Sequence, residues 1–136
     1  MRDSGDDHTT HRHTVLFVED DHDTREACTE LARVGGLHAV GTTNGREALE
    51  QLRQGLRPCL IVLDIAMPEM DGVTFRREQL ADPAVADIPV IVTTGGGRAA
   101  EADARTVGLT VFLRKPVDPG ELLRAFSDHC GARTSN

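Results

Sequence analysis

The chain has 136 residues, enough for one domain with a single core, and its formal net charge of −7 argues against nucleic acid as a direct partner, because phosphate groups require a basic face. No apolar stretch approaches the roughly 20 residues of a membrane span, and the polar first residues lack the apolar core of a secretory signal. The three cysteines are widely spaced and form no CxxC pair, which predicts reduced thiols in a cytoplasmic protein.

Short apolar runs alternate with segments of helical periodicity along the chain. The runs predict five strands, at residues 15–18, 37–40, 60–63, 88–92 and 110–113. The segments between them predict five helices, which begin near Asp23, Asn44, Val73, Arg98 and Asp118 and end near Val34, Gly55, Leu80, Val107 and His129. Because strands that alternate with helices pair in parallel, we predict an α/β domain with helices on both faces of the sheet.

The third apolar run leads directly into a carboxylate. Residues 60–63 are rich in β-branched side chains, which suits a central strand buried on both faces, and the run ends at Asp64. Met67-Pro68 and Asp71-Gly72 then predict a rigid turn. An aspartate between a buried strand and a stiff loop is well placed for chemistry.

The other strands also end on polar side chains. In parallel sheets, ligands bind outside the carboxyl ends of the strands, at the point where the strand order reverses. The polar groups at these ends are Glu19, Asp20, Asp21, Asp64, Thr93, Thr94 and Lys115. Lys115 is the only lysine among 15 basic residues, and a lysine supplies a compact charge on a flexible stem.

These groups are chemically complementary. Carboxylates that converge from neighbouring strands repel one another unless a cation neutralises them, and Mg²⁺ prefers carboxylate oxygens together with a phosphoryl oxygen. A hydroxyl and an ammonium at the same edge would complete a site for a tetrahedral oxyanion. Asp64 could then act as a nucleophile and form an acyl-phosphate, with catalysis mostly by positioning and electrostatics. The plainer alternative is a solvated acidic loop with Thr93 as a helix cap.

Four motifs carry a resemblance to a known family. VLFVEDD, LIVLDIAMPEMDG, PVIVTTG and FLRKP occur in this order over about residues 13–130. Together they make the chain resemble the receiver domain of two-component response regulators, in particular the stand-alone chemotaxis regulators. The resemblance implies a flavodoxin-like, doubly wound (βα)5 fold with strand order 2-1-3-4-5. It places the receiver domain at residues 13–130, followed by a tail at 131–136. The acids, histidines and few apolar groups of residues 1–12 predict a disordered arm before it.

The resemblance also implies a role for each matching residue. Asp64 would accept a phosphoryl group from the phosphohistidine of a sensor histidine kinase or a phosphotransfer protein. The other implied roles are Mg²⁺ binding by Glu19, Asp20, Asp64 and the carbonyl of Ala66, a switch hydroxyl at Thr93, a phosphoryl-pairing charge at Lys115, a switch aromatic at Phe112 and a cis proline at Pro116. The partners would be that kinase and an effector protein bound to the fourth helix, fifth strand and fifth helix, with a phosphorylation-dependent dimer as a further state.

Two positions depart from the usual pattern. Ala66 and Gly95, two residues after Asp64 and Thr93, have no polar side chain to orient an attacking water. We therefore expect neither side chain to assist hydrolysis of the aspartyl-phosphate. The run Gly95-Gly96-Gly97 is either a flexible connection or a mobile entry to the fourth helix that rearranges on phosphorylation.

The leading interpretation is a cytoplasmic switch that catalyses only its own phosphorylation and dephosphorylation. Only six residues follow Cys130, so we expect no output domain, although an excised part of a longer regulator or hybrid kinase is an alternative. A pseudo-receiver that only binds partners is a second alternative. An Mg²⁺-dependent phosphatase is a third, disfavoured because such enzymes usually carry an acid two residues after the nucleophile, where this chain has Ala66.

Overall fold

Five strands alternate with five helices in the computed structural model, which describes residues 13–66 and 70–131. The strands are β1 (Thr14–Val18), β2 (His38–Thr42), β3 (Leu60–Asp64), β4 (Val90–Thr94) and β5 (Phe112–Arg114), and the helices are α1 (His22–Val34), α2 (Gly45–Arg53), α3 (Gly72–Leu80), α4 (Arg98–Thr106) and α5 (Pro119–Cys130). The predicted arm at 1–12, the Met67-Pro68 part of the turn and residues 132–136 lie outside the described residues. No helix within the described ranges has the length and apolar character needed to cross a membrane.

The five strands form one parallel sheet in the order β2-β1-β3-β4-β5. The predicted fold class, α/β with a doubly wound sheet in order 2-1-3-4-5, is therefore confirmed. From β1 the chain goes to β2 at one edge of the sheet, and from β3 it goes through β4 to β5 at the other edge. The strand order therefore reverses between β1 and β3. Asp64, at the end of β3, lies at this reversal.

Alternating strand residues supply two cores, one on each face of the sheet. Leu16 and Val18 face a cluster covered by α2, α3 and α4, and Val15 and Phe17 face a cluster covered by α1 and α5. All five residues of β1 and of β3 are buried. This double burial explains why the central strands are continuous apolar runs, and it gives the polar groups at their ends a rigid base.

Side-chain caps fix where most helices begin. Asp21, Asn44, Asp71 and Asp118 accept a backbone N–H in the first turn of α1, α2, α3 and α5 respectively. The predicted start of this helix near Asp23 is one residue late, because the carboxylate of Asp21 accepts the N–H of Thr24 at 2.9 Å and α1 begins at His22. The residue immediately before α4 is Gly97, which has no side chain to cap that helix.

The prediction of three reduced thiols is wrong for two of them. Cys59 and Cys130 form a disulfide that links the start of β3 to the end of α5, with their Cα atoms 5.5 Å apart. The thiol of Cys28 is free. A separation of 71 residues along the chain gave no hint of this contact. It arises because α5 runs back across the sheet and ends beside the amino edge of β3.

Candidate functional site

Three charged side chains meet at the carboxyl edge of the sheet. The ammonium nitrogen of Lys115 lies 3.0 Å from Oε1 of Glu19 and 3.1 Å from Oδ2 of Asp64. The two acidic residues are only 5% and 4% exposed. Because charges attract strongly where water is largely excluded, Lys115 bridges the two carboxylates and offsets their mutual repulsion.

The backbone holds each of these residues in position. Val18 pairs with Leu63, which sets the ends of β1 and β3 side by side. The N–H of Glu19 donates to the carbonyl of Thr42 at 3.0 Å and extends the ladder one residue beyond β1. The N–H of Lys115 donates to the carbonyl of Thr94 at 2.8 Å. The peptide bond between Lys115 and Pro116 is cis, as the resemblance implied.

Burial and neighbouring charges shift the pKa values of two of these groups. Burial raises the pKa of Glu19 above its ordinary 4.5, more than hydrogen bonds from the Asp21 N–H and from Lys115 lower it. Burial alone would lower the pKa of Lys115, but hydrogen bonds and charges from Glu19 and Asp64 outweigh it and raise that pKa above 10.5. The ammonium is therefore held charged at every physiological pH.

The raised pKa of Lys115 predicts a loss of stability in alkali. Because the folded-state pKa of Lys115 lies above 10.5, its charged ammonium stabilises the fold fully below pH 10.5. This contribution disappears as the pH rises through the folded-state pKa. The chain has no tyrosine, so few other side chains titrate there. The metal-free Cys28→Ser protein, which lacks the free thiol, serves as the background. We expect its free energy of unfolding in urea to fall above pH 10.5. The fall should vanish when Lys115→Met is added. An equal fall in both proteins would contradict the assignment to Lys115.

A third carboxylate completes an acidic cluster. Oxygens of Glu19, Asp20 and Asp64 lie within 4.8 Å of one another, and Asp20 is exposed to solvent. Within residues 13–66 and 70–131 no other group of three or more His, Cys, Asp or Glu side chains is close enough to hold a metal ion. Three carboxylates outnumber the single ammonium of Lys115, and their oxygens are the hard donors that Mg²⁺ binds. The donor set therefore fits a divalent cation.

Two further predicted site residues lie next to Asp64. The backbone N–H of Ala66 donates to Oδ1 of Asp64 at 3.1 Å, so that both carboxylate oxygens have a donor. Thr93 pairs with Asp64 in the register of β3 and β4 and is 3% exposed. Its hydroxyl makes no hydrogen bond with any described residue. The neighbouring Thr93 hydroxyl is thus free to accept a new partner.

Thr94, rather than Thr93, ties the end of β4 to α4. Its hydroxyl donates to Oε2 of Glu101 at 3.0 Å and accepts the N–H of Gly96, also at 3.0 Å. Gly96 has a φ of +99°, a backbone conformation that disfavours any side chain. One glycine of the predicted run is therefore required by the turn itself. The pairing with Glu101 was not predicted, since two polar residues seven positions apart give no signal in the sequence.

The predicted switch aromatic lies at the start of β5. Phe112 is partly buried against the core cluster beneath α2, α3 and α4. The guanidinium carbon of Arg105 lies 4.5 Å from the centroid of its ring, a cation–π contact at the solvent side. Arg105 was not singled out from the sequence, where it is one of many arginines. The contact places Phe112 between the core and the surface formed by α4 and β5.

Comparisons with known proteins agree on one family. A family model described as the response regulator receiver domain matches residues 15–127. The chemotaxis protein CheY of Thermotoga maritima is 31% identical over 114 residues, which are 83% of this chain and 93% of that protein. The solved response regulator receiver protein from Pseudomonas putida has a TM-score of 0.77 at 33% identity, covering 85% of this chain and 95% of its own. The receiver domain of a histidine kinase from Syntrophus aciditrophicus has a TM-score of 0.78 at 29% identity, covering 88% and 90%.

Proposed function

The chain belongs to the response regulator receiver domain family, and we propose that it is a phosphoacceptor switch of two-component signalling. A carboxylate oxygen of Asp64 attacks the phosphorus of a phosphohistidine on a sensor kinase or phosphotransfer protein. The P–N bond breaks, the imidazole leaves, and an aspartyl-phosphate forms. The observation that carries the proposal is the buried Asp64 carboxylate, held by Lys115 and Ala66 next to two further carboxylates.

Each neighbouring group has a proposed task. Lys115, 3.1 Å from Oδ2 of Asp64, pairs with the charge of the incoming phosphoryl group. Glu19, Asp20, Asp64 and the carbonyl of Ala66 would hold Mg²⁺, which when bound adds positive charge for the phosphoryl oxygens. The N–H of Ala66 keeps the Asp64 carboxylate from rotating. Positioning and charge compensation then supply most of the rate.

The switch follows from the hydroxyl of Thr93. Its side chain lies beside Asp64 without a hydrogen bond to another described residue, so a phosphoryl oxygen would attract it. Movement of Thr93 would leave space for the ring of Phe112, which would leave Arg105 and turn inward. The effector, or a second copy of the chain, would read the altered surface of α4, β5 and α5. Phosphorylation should therefore change the backbone amide resonances of that surface.

We place the receiver domain at residues 13–130 and the protein in the cytoplasm, where sensor kinases present their phosphohistidine. It would catalyse only its own phosphorylation and dephosphorylation. A reducing cytoplasm opposes disulfides, so the link between Cys59 and Cys130 would form there only under oxidative conditions. Fractionation of cells by compartment would test the location.

Phosphoryl uptake from a small donor tests the proposed function. We expect wild-type protein with Mg²⁺ and acetyl phosphate to gain one phosphoryl group, measured by mass spectrometry of the intact protein. Asp64→Asn, which keeps the shape but lacks a nucleophilic carboxylate, should gain none. No gain by the wild type would favour the pseudo-receiver, whereas rapid release of phosphate from unrelated phosphoesters would favour the phosphatase.

The small side chain of Ala66 bears on how fast the aspartyl-phosphate is hydrolysed. Ala66 is exposed beside Asp64, and its methyl group cannot orient an attacking water. We expect Ala66→Asn to change the lifetime of the aspartyl-phosphate several-fold, because the new amide can hydrogen-bond water near the phosphorus. Loss of label after removal of the donor measures that lifetime, and Ala66→Val controls for side-chain bulk. Equal lifetimes for wild type and Ala66→Asn would contradict the expectation.

A further inference from the structure

An arginine that belongs to none of the predicted roles holds the backbone of the acidic turn between β1 and α1. Nη1 of Arg25 donates to the carbonyl of Glu19 at 2.9 Å and lies 3.5 Å from the carbonyl of Asp20. Its Nη2 lies 3.3 Å from Nδ1 of His22. One guanidinium thus contacts the backbone of both acidic residues at the end of β1, without an ion pair to either carboxylate.

A glycine in the edge strand makes this conformation of Arg25 available. A Cβ atom at Gly41, in β2, would lie only 3.1 Å from Cγ and 3.2 Å from Cδ of Arg25. That spacing is tighter than ordinary van der Waals contact, so the arginine stem occupies the space that a side chain at Gly41 would need. The stem therefore crosses β2 toward the end of β1, and a larger residue at this position would displace it.

The contacts of Arg25 bear directly on where the acidic side chains point. β1 ends at Val18, and the N–H of Glu19 adds one further ladder bond before the chain turns toward α1. Arg25 fixes the Glu19 carbonyl, and the N–H of Asp21 in turn donates to Oε2 of Glu19 at 3.1 Å. Both interactions restrict the turn that carries Asp20, whose own side chain is exposed.

We propose that Arg25 is a positioning residue for the divalent cation, which acts through the backbone carbonyls of Glu19 and Asp20 to preorganise the metal-binding carboxylates. The inference rests on the proposed function, since it concerns the metal site of the same phosphoacceptor. Groups that orient the ligands of a metal ion without binding the ion themselves typically increase the affinity for that ion about 10-fold to 100-fold. The proposal assigns this contribution to the turn after β1.

The positive charge of Arg25 cannot itself strengthen Mg²⁺ binding. A guanidinium near a cation site repels the ion, so charge alone would make removal of Arg25 strengthen Mg²⁺ binding. A positioning role predicts instead that removal of Arg25 weakens Mg²⁺ binding, because the freed turn must be ordered again when the ion binds. The two effects are thus separable by the direction of the change in affinity.

Mg²⁺ titration by isothermal calorimetry tests the proposal on the whole chain. We expect Arg25→Met to weaken binding about 10-fold, and Arg25→Lys, which keeps the charge and one donor, to recover part of that loss. Arg33→Met is the matched control, because Arg33 is an exposed arginine of the same helix. Its loss should leave the affinity unchanged or slightly stronger.

Gly41→Val provides an independent route to the same result with the guanidinium still present. We expect it to weaken Mg²⁺ binding in the wild-type background and to have little further effect in Arg25→Met, since both changes act on one interaction. Amide resonances of Glu19 to Asp21 should shift in each variant, while the thermal midpoint without metal stays within a few degrees.

The outcomes separate the inference from the proposed function. If the wild type fails to bind Mg²⁺, the proposed metal site is wrong and the inference falls with it. If the wild type binds Mg²⁺ and Arg25→Met binds it equally or more tightly, the proposed function stands and the positioning role of Arg25 is overturned.

Discussion

Replacement of Lys115 by methionine is expected to slow phosphoryl uptake from acetyl phosphate by about 100-fold or more at saturating Mg²⁺, the usual cost of removing one group that stabilises transition-state charge. Methionine keeps the unbranched stem and removes the ammonium. Lys115 lies within 3.2 Å of both Glu19 and Asp64, so its ammonium is close to the developing charge. The rate of the mass increase of the intact protein measures the effect.

Saturating Mg²⁺ is needed because the variant should bind the ion more tightly than the wild type does. Removal of the ammonium leaves Glu19 and Asp64 as two buried like charges, and a divalent cation relieves their repulsion. A slower rate at saturation therefore reports lost charge stabilisation rather than lost metal. Arg124→Met, which removes an exposed basic group of α5, is the matched control. A rate for Lys115→Met within about threefold of the wild type would contradict the role of Lys115.

Reduction of the disulfide between Cys59 and Cys130 is expected to lower the free energy of unfolding by about 2–4 kcal/mol. The bond closes a loop across 71 residues, from the start of β3 to the end of α5. Its loss frees the unfolded chain much more than the folded one, because both cysteines already lie against the packed core. Urea unfolding with and without a thiol reductant measures the difference.

Single cysteine variants make this test specific. Cys130→Ser should unfold at lower urea and should no longer respond to reductant. Cys28→Ser should keep the full response, since the Cys28 thiol takes no part in the bond. A wild type with identical stability in oxidised and reduced form would show that the disulfide does not stabilise the fold.

The sequence predicted most of the fold because its patterns are local. Buried parallel strands read as apolar runs, and the residues that cap α2 and α5 are visible as Asn44 and Asp118. The predicted start of α1 is one residue late, because several acids precede this helix and only the folded chain shows that Asp21 accepts the N–H of Thr24. The disulfide was missed for a different reason, since no pattern within the chain shows that residues 71 positions apart will meet.

The site followed from topology in the same way. Parallel strands bring their carboxyl ends to one edge, so Glu19, Asp64 and Lys115 were expected together and lie together. The supporting arginines could not be predicted. The conformation of Arg25 depends on Gly41 in another strand, and that of Arg105 depends on the ring of Phe112. Long flexible side chains take their positions from neighbours that only the folded chain provides.

The position of the phosphoryl group is the most direct test of the central proposal. Wild-type protein is phosphorylated with Mg²⁺ and acetyl phosphate, the acyl-phosphate is reduced with borohydride, and peptides are mapped by mass spectrometry. We predict that the aspartate of residue 64 alone is converted to homoserine, and that the Asp64→Asn protein shows no conversion. Conversion at Glu19, Asp20 or another carboxylate in the wild type, or no conversion at all, would contradict the assignment of Asp64 as phosphoacceptor.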